Sequence, residues 1–278
     1  MMHIELAPHN KTGLTLASPL IAGSGAVGYG DAWPPGVTSA LFGALVTPPV
    51  TLRSQRGQAP PRLAEIPAGF LLATGDHNPG YRRIIQEHAA AWDRLGTPVI
   101  AALASSTPED WDRLAAHFEE EAPVAGLELH MPASARSGDV AAWVSTVRRA
   151  CTLPLLVKLP DAQAEELAPV CVRAGADALV IGAAPLAAYP AAGDVIIEAP
   201  VAGPVAFPFT LRALRAVVTL DLGIPLIAAG GITRPENVRS CLDAGAVAIQ
   251  IRSLLWTDPA AAAVRLANSI RPNPPRDP

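Results

Sequence analysis

Eight short apolar runs, most of them closed by Gly, Pro or Ser, punctuate this chain. They are PLIAGSG (19–25), ALVTPPV (44–50), VIAALAS (99–105), GLELHM (126–131), LLVKLP (155–160), ALVIGA (178–183), LIAAGG (226–231) and AIQIRS (248–253). From the third onward, amphipathic helical patterns fill most gaps, near 108–121, 138–150, 163–174, 209–221, 235–244 and 258–270, and a further helix is expected at 81–95. Eight strands alternating with helices in about 250 residues is the arithmetic of a (β/α)8 barrel, an α/β fold. An open doubly wound sheet is the competing architecture. It is disfavoured because no GxGxxG follows the first run and no composition break divides the chain. The expectation is one barrel domain over residues 1–270, with RPNPPRDP (271–278) as an extended or disordered tail.

The stretch IPLIAAGGITRPENVRSCLDAGAVAIQIRS (224–253) says most about chemistry. A strand ending in Gly230-Gly231 leads into a helix, and a second strand ends in Arg252-Ser253. Glycine amides and a helix N-terminus can close around a phosphate dianion, as the last two units of many barrels do. The other reading is a strand-to-helix turn that needs glycine for its dihedrals. Thr233 and Glu236 have capping-box spacing, with Pro235 in the first turn. Two connections, 51–80 and 184–207, are too long for plain loops. Both follow strands, so in a barrel both lie over the C-terminal face, where Pro and Gly give them shape and a substrate-covering role.

Composition narrows the class. Half of the 278 residues are hydrophobic and 17 % are charged, with a mean hydropathy of +0.28, which describes a chain with a large core. A net charge of -4 gives no electrostatic case for nucleic acid or an anionic membrane. The apolar runs are strand-length and broken, and MMHIELAPHNKTG has no signal-peptide pattern, so a cytoplasmic protein is expected. Cys151, Cys171 and Cys241 share no metal-ligand spacing and read as small buried hydrophobes. Neither a metal cluster, a Ser-His-Asp order nor a P-loop is present.

Taken in order, the motifs resemble the dihydroorotate dehydrogenase family of FMN-binding barrels over nearly the whole chain. SPLIAGSGAVGYG is similar to that family's first strand and flavin-side turn, which implies roles for Gly23, Ser24 and Gly25. GALVTPPVTLRSQRGQAPPR resembles its second strand and the segment after it, placing Thr47 beside the flavin. GDHNPG resembles the substrate loop, with Asn78 as a ligand contact, although Asn78 reads equally as a turn residue before Pro79. ELHMP, VKLP, AGADALVI, the GP–P–LRAL series with Gly203, IPLIAAGGI and AGAVAIQI follow in family order. The resemblance implies FMN as cofactor, a small-molecule substrate and a homodimer. It implies that Gly230, Gly231, Arg252 and Ser253 hold the phosphate.

The departures concentrate on one reaction. Where the family's second strand ends Thr-Lys-Ser, this chain has Thr47-Pro48-Pro49. The family's asparagine ahead of the substrate-loop glycine is replaced by Leu72 or Ala73, and its Asn or Thr pair after strand six by Gly182-Ala183-Ala184. The family's catalytic Cys or Ser aligns with Ala133, inside His130-Met131-Pro132-Ala133-Ser134-Ala135. The phosphate-binding Gly-Thr after strand eight is Arg252-Ser253, where the Arg252 guanidinium either grips the phosphate as a bidentate fork, fills the cradle, or serves a buried carboxylate instead. Pro, Leu and Ala supply neither the hydrogen bonds nor the proton transfer that oxidation of dihydroorotate requires.

Strand alternation puts Glu128 with His130, Leu156 with Lys158, and Gln250 with Arg252 on shared faces, expected to point into the barrel. Lys158 falls where the resemblance places a lysine against the flavin N1/O2 edge; a buried ion pair with Glu128 is the alternative. His130 is a candidate proton donor or flavin neighbour, or else a hydrogen-bonded histidine of the barrel mouth. Ser134 replaces the lost base only if the loop shifts by one residue. Arg53, Arg56 and Arg62 read as an exposed basic group. The expectation is an FMN-dependent oxidoreductase acting on a substrate other than, or bound differently from, dihydroorotate. A catalytically degenerate binding or partner subunit, and a non-flavin barrel for a phosphorylated metabolite, are the competing readings.

Overall fold

A computed structural model describes residues 3–183, 185–191, 193, 195–259, 265 and 270. The chain opens on an antiparallel hairpin, β1 (Ile4–Glu5) and β2 (Thr15–Leu16). Then follow β3 (Leu20–Ala22), β4 (Ala26–Tyr29), β5 (Ala44–Val46), β6 (Leu63–Ile66), β7 (Gly69–Leu72) and helix α1 (Tyr81–Trp92). Next come β8 (Val99–Leu103), α2 (Pro108–Glu121), β9 (Gly126–His130), α3 (Ser137–Ala150), β10 (Leu155–Pro160), α4 (Ala164–Ala174) and β11 (Ala178–Ala183). The last part runs β12 (Leu186–Pro190), β13 (Ile196–Ala202), α5 (Phe207–Val218), β14 (Leu226–Ala229), α6 (Pro235–Asp243), β15 (Ala248–Ile251) and α7 (Ser253–Thr257).

Eight of these strands close a parallel barrel in the order β10-β11-β14-β15-β3-β5-β8-β9, as the alternating runs require. Period-two alternation explains the two packed layers. Ile21, Val46, Ile100, Leu156, Val180 and Ile227 fill the interior together with Leu6, Leu14 and Leu16 of the hairpin segment. Leu14 approaches Gly126, the first residue of β9, so the hairpin plugs the N-terminal end. The alternate residues, among them Leu45, Ala101, Val157, Leu179 and Ile181, pack outward against helices that carry Trp111, Phe118 and Leu214.

The two long connections form a structure the sequence did not suggest. They supply β6–β7 and β12–β13, which join as one antiparallel sheet in the order β12-β13-β7-β6. Val201 pairs with Leu71 across about 130 positions of chain. The sheet has its own small core of Ala64, Leu71, Ile197, Ala199 and Val201.

Local differences have local causes. Helix α6 begins at Pro235, but the expected Thr233–Glu236 capping box does not form. Asn237 Oδ1 instead accepts from the amides of Thr233 (3.3 Å) and Arg234 (3.1 Å), and Glu236 pairs with Arg239 on the surface. Helix α5 starts earlier than 209, with Pro208 in its first turn. The expected tail lies outside the described residues, as does most of the helix expected at 258–270. No described helix is long and apolar enough to cross a membrane.

Candidate active site

A cavity of about 620 Å³ lies between the C-terminal mouth of the barrel and the cap sheet. The barrel side contributes Gly23 and Ser24 after β3, His130, Lys158, Gln250, Gly182 near the end of β11, and Gly230 and Gly231 after β14. The cap side contributes Leu72 at the end of β7, Ala73 and Asp76 beyond it, Glu198 to Ala202 of β13, and Gly203 after that strand. The cations on this wall therefore come from the barrel, while the cap adds two carboxylates.

Beneath the cavity lies a polar cluster centred on Glu128, whose side chain is fully buried. Gln250 Nε2 donates to Glu128 Oε2, from β15 to β9, two strands that are not neighbours in the barrel. Gln250 Oε1 accepts from Lys158 Nζ at 3.0 Å. Lys158 Nζ is 3.8 Å from Glu128 Oε1, and His130 Nε2 is 2.7 Å from the same oxygen. Strand register builds the group, because Lys158 pairs directly with His130 across β10 and β9. Burial alone would raise the Glu128 carboxyl; the Lys158 ammonium and the His130 and Gln250 hydrogen bonds outweigh it and hold it below its usual value. Burial lowers Lys158, the Glu128 carboxylate opposes that only in part, and Arg252 adds to the lowering. The buried ion pair considered for Lys158 thus exists, and Lys158 still borders the cavity.

Arg252 and Ser253 line the same cavity with Gly203, Gly230 and Gly231. The Arg252 guanidinium has no carboxylate partner among the described residues. It lies over the Trp256 ring at 5.3 Å, and Trp256 Nε1 is anchored on the Ala26 carbonyl. The amides of Gly203 and Gly231 meet no acceptor among the described residues. Gly231 has φ +67°, and a Cβ there would stand 2.1 Å from Phe207 N at the start of α5. Gly182 is equally constrained, since a Cβ would fall 1.4 Å from the Ala229 carbonyl oxygen. No amide side chain fits at that position, which agrees with the loss of the family's polar residue there.

The other expected site residues stand apart from the cavity wall. Thr47 is buried, accepting from the Ala102 amide and receiving Ser24 Oγ on its carbonyl. Gly25 bonds back to Val46. Ser134 is exposed on the loop after β9. Asn78 is 2 % exposed and spends its side chain inside its own loop, on Thr51, Asp76 and Gly80. Arg53, Arg56 and Arg62 lie outside the cavity wall, the first two exposed.

One group went unnoticed in the sequence. Asp161, just past the end of β10, is buried with no hydrogen-bond partner for either carboxylate oxygen. Burial pushes its pKa up to about 7, against opposing pulls from Lys158 and from the nearby Thr210 hydroxyl, which in this structure donates to the Ala229 carbonyl. The available signal was a carboxylate directly after a fully apolar strand end, three residues from the only strand lysine.

A closed eight-stranded parallel barrel with its cavity at the C-terminal mouth defines the class as a (β/α)8 barrel with an enzyme-type site. The dihydroorotate dehydrogenase family model matches residues 7–271, and the chain belongs to that family. It is 31 % identical over 275 residues to a dihydroorotate dehydrogenase B (NAD(+)), catalytic subunit, of Desulforudis audaxviator, covering 92 % of this chain and 89 % of the relative. The same description applies to a protein of Pelobacter propionicus, 33 % identical over 276 residues (91 % and 88 %). A putative dihydroorotate dehydrogenase A (fumarate) of Solibacter usitatus is 32 % identical over 270 residues (90 % and 87 %).

Proposed function

We propose that this chain is an FMN-dependent oxidoreductase whose substrate is not dihydroorotate, or is dihydroorotate held in a different way. The observation that carries the reading is the make-up of the cavity wall. The wall carries Lys158 and, among the described residues, an Arg252 with no carboxylate partner beside glycine amides with no acceptor, the groups needed to hold an electron-rich ring and a phosphate. The volume suits such a ligand, since pockets that bury small ligands run to roughly 300–1,000 Å³. Bound FMN would supply a two-electron hydride acceptor. Lys158 would face its ring and favour negative charge there. Arg252 would grip the phosphate as a fork, beside the amides of Gly203 and Gly231.

Dihydroorotate carries a carboxylate, whereas the cap presents Asp76 and Glu198 beside Leu72 and Ala73. Like charge and missing amide groups disfavour it by the same logic that lets a polar site reject a mismatched ligand. The unpaired Arg252 would also suit a phosphorylated metabolite with no flavin. Homodimeric assembly and a cytoplasmic location complete the proposal.

Absorbance decides between these readings. The purified protein is expected to be yellow, or to become so with added FMN, with roughly one FMN released on denaturation. A colourless protein that takes up no added FMN would sink the oxidoreductase reading and favour the metabolite or partner role.

A further inference from the structure

His130 ends a chain of hydrogen bonds that flavin binding does not require. Glu128 is fully buried and accepts from Gln250, so the ring nitrogen facing it, Nε2 at 2.7 Å, carries the proton and donates. A neutral ring then keeps its lone pair on Nδ1. That atom has no partner among the described residues, and the side chain, 21 % exposed, borders the cavity. A base held by a buried carboxylate and opening on a cavity is the arrangement by which imidazoles are oriented for proton transfer.

Charged groups face it from several elements. Lys158, its direct neighbour in the ladder, opposes a second cation, and Arg252 adds to that opposition from the mouth. Glu128 favours the cation from below; Asp76 and Glu198 face the same cavity from the cap. Asp161 acts on this group through its charge interaction with Lys158. Reduction of a flavin in the cavity adds negative charge and tips this balance toward the imidazolium.

We infer that His130, oriented by Glu128, is the proton acceptor of this site, taking a proton at Nδ1 as the bound flavin is reduced. The inference rests on the flavin reading and supplies the base that Ala133 cannot. With an organic substrate, one C–H bond gives a hydride to the flavin and the adjacent C–H or N–H gives its proton to Nδ1. The electron pair left behind forms the new double bond, so the substrate loses two electrons and the flavin gains two. With dithionite as electron donor, the same proton comes from water.

The test is the midpoint potential of the FMN-loaded protein against pH, by dithionite titration, in the wild type, His130→Gln and His130→Asn. One proton per two electrons lowers the potential by about 30 mV per pH unit. The wild type is expected to show twice that slope over the range in which reduction of the flavin brings a proton onto the imidazole, and both variants the single-proton slope. A structural role for His130 would alter affinity or stability and leave the slope unchanged. Equal slopes in all three proteins, or a single-proton slope in the wild type alone, overturn the inference while the flavin reading stands. A protein that binds no FMN overturns both.

Discussion

Glu128→Ala is expected to lower the stability of the protein by about 3–5 kcal/mol, because it removes the ion-pair partner of the mostly buried Lys158 and the acceptor of His130 and Gln250. Lys158, His130 and Gln250 all converge on this carboxylate, and Glu128 is the one carboxylate within ion-pair distance of Lys158 among the described residues. For a chain of this size the loss corresponds to a fall in Tm of roughly 10 °C. Glu128→Gln, which keeps the volume and part of the hydrogen bonding, should cost less. Thermal melts at neutral pH measure both. A loss below about 1 kcal/mol for the alanine variant would mean that the cluster is solvated rather than buried.

Asp161→Asn is expected to act in the opposite direction. The Asp161 carboxyl is raised to about 7 in the folded protein from an ordinary 3.8. The neutral folded form is therefore at no disadvantage below about pH 4, and the wild type loses stability as pH climbs from there to about 7. Above that the penalty is constant. The asparagine variant should be about 2–4 kcal/mol more stable than the wild type at pH 8, with the gain shrinking toward zero in acid. Urea unfolding at pH 5 and pH 8 checks this; a difference that does not change with pH contradicts it.

Both predictions concern groups that the sequence exposed unequally. Glu128, His130 and Lys158 sit inside strands, where period-two alternation gives side-chain direction without a structure. Their shared face was legible, and so was the pairing of Lys158 with Glu128 as a possibility. Asp161 stands one residue beyond β10, where the alternation stops and direction depends on how the chain turns toward α4. The barrel was legible because its strands repeat one pattern eight times. The cap sheet was not, since β7 and β13 lie in Pro- and Gly-rich segments and pair across a long separation. Asn78 shows the limit of motif position: a residue that reads as a ligand contact can be fully occupied in holding its own turn. Arg252 shows the reverse, for its unpaired guanidinium is visible only once its neighbours are placed.

The central claim is that the flavin end of this barrel is kept while the dihydroorotate end is changed. Anaerobic mixing of the FMN-loaded protein with dihydroorotate tests it most directly. The account predicts that the visible flavin band persists with dihydroorotate and bleaches when dithionite follows. Bleaching by dihydroorotate itself, with orotate formed in equal amount to the flavin reduced, would contradict it.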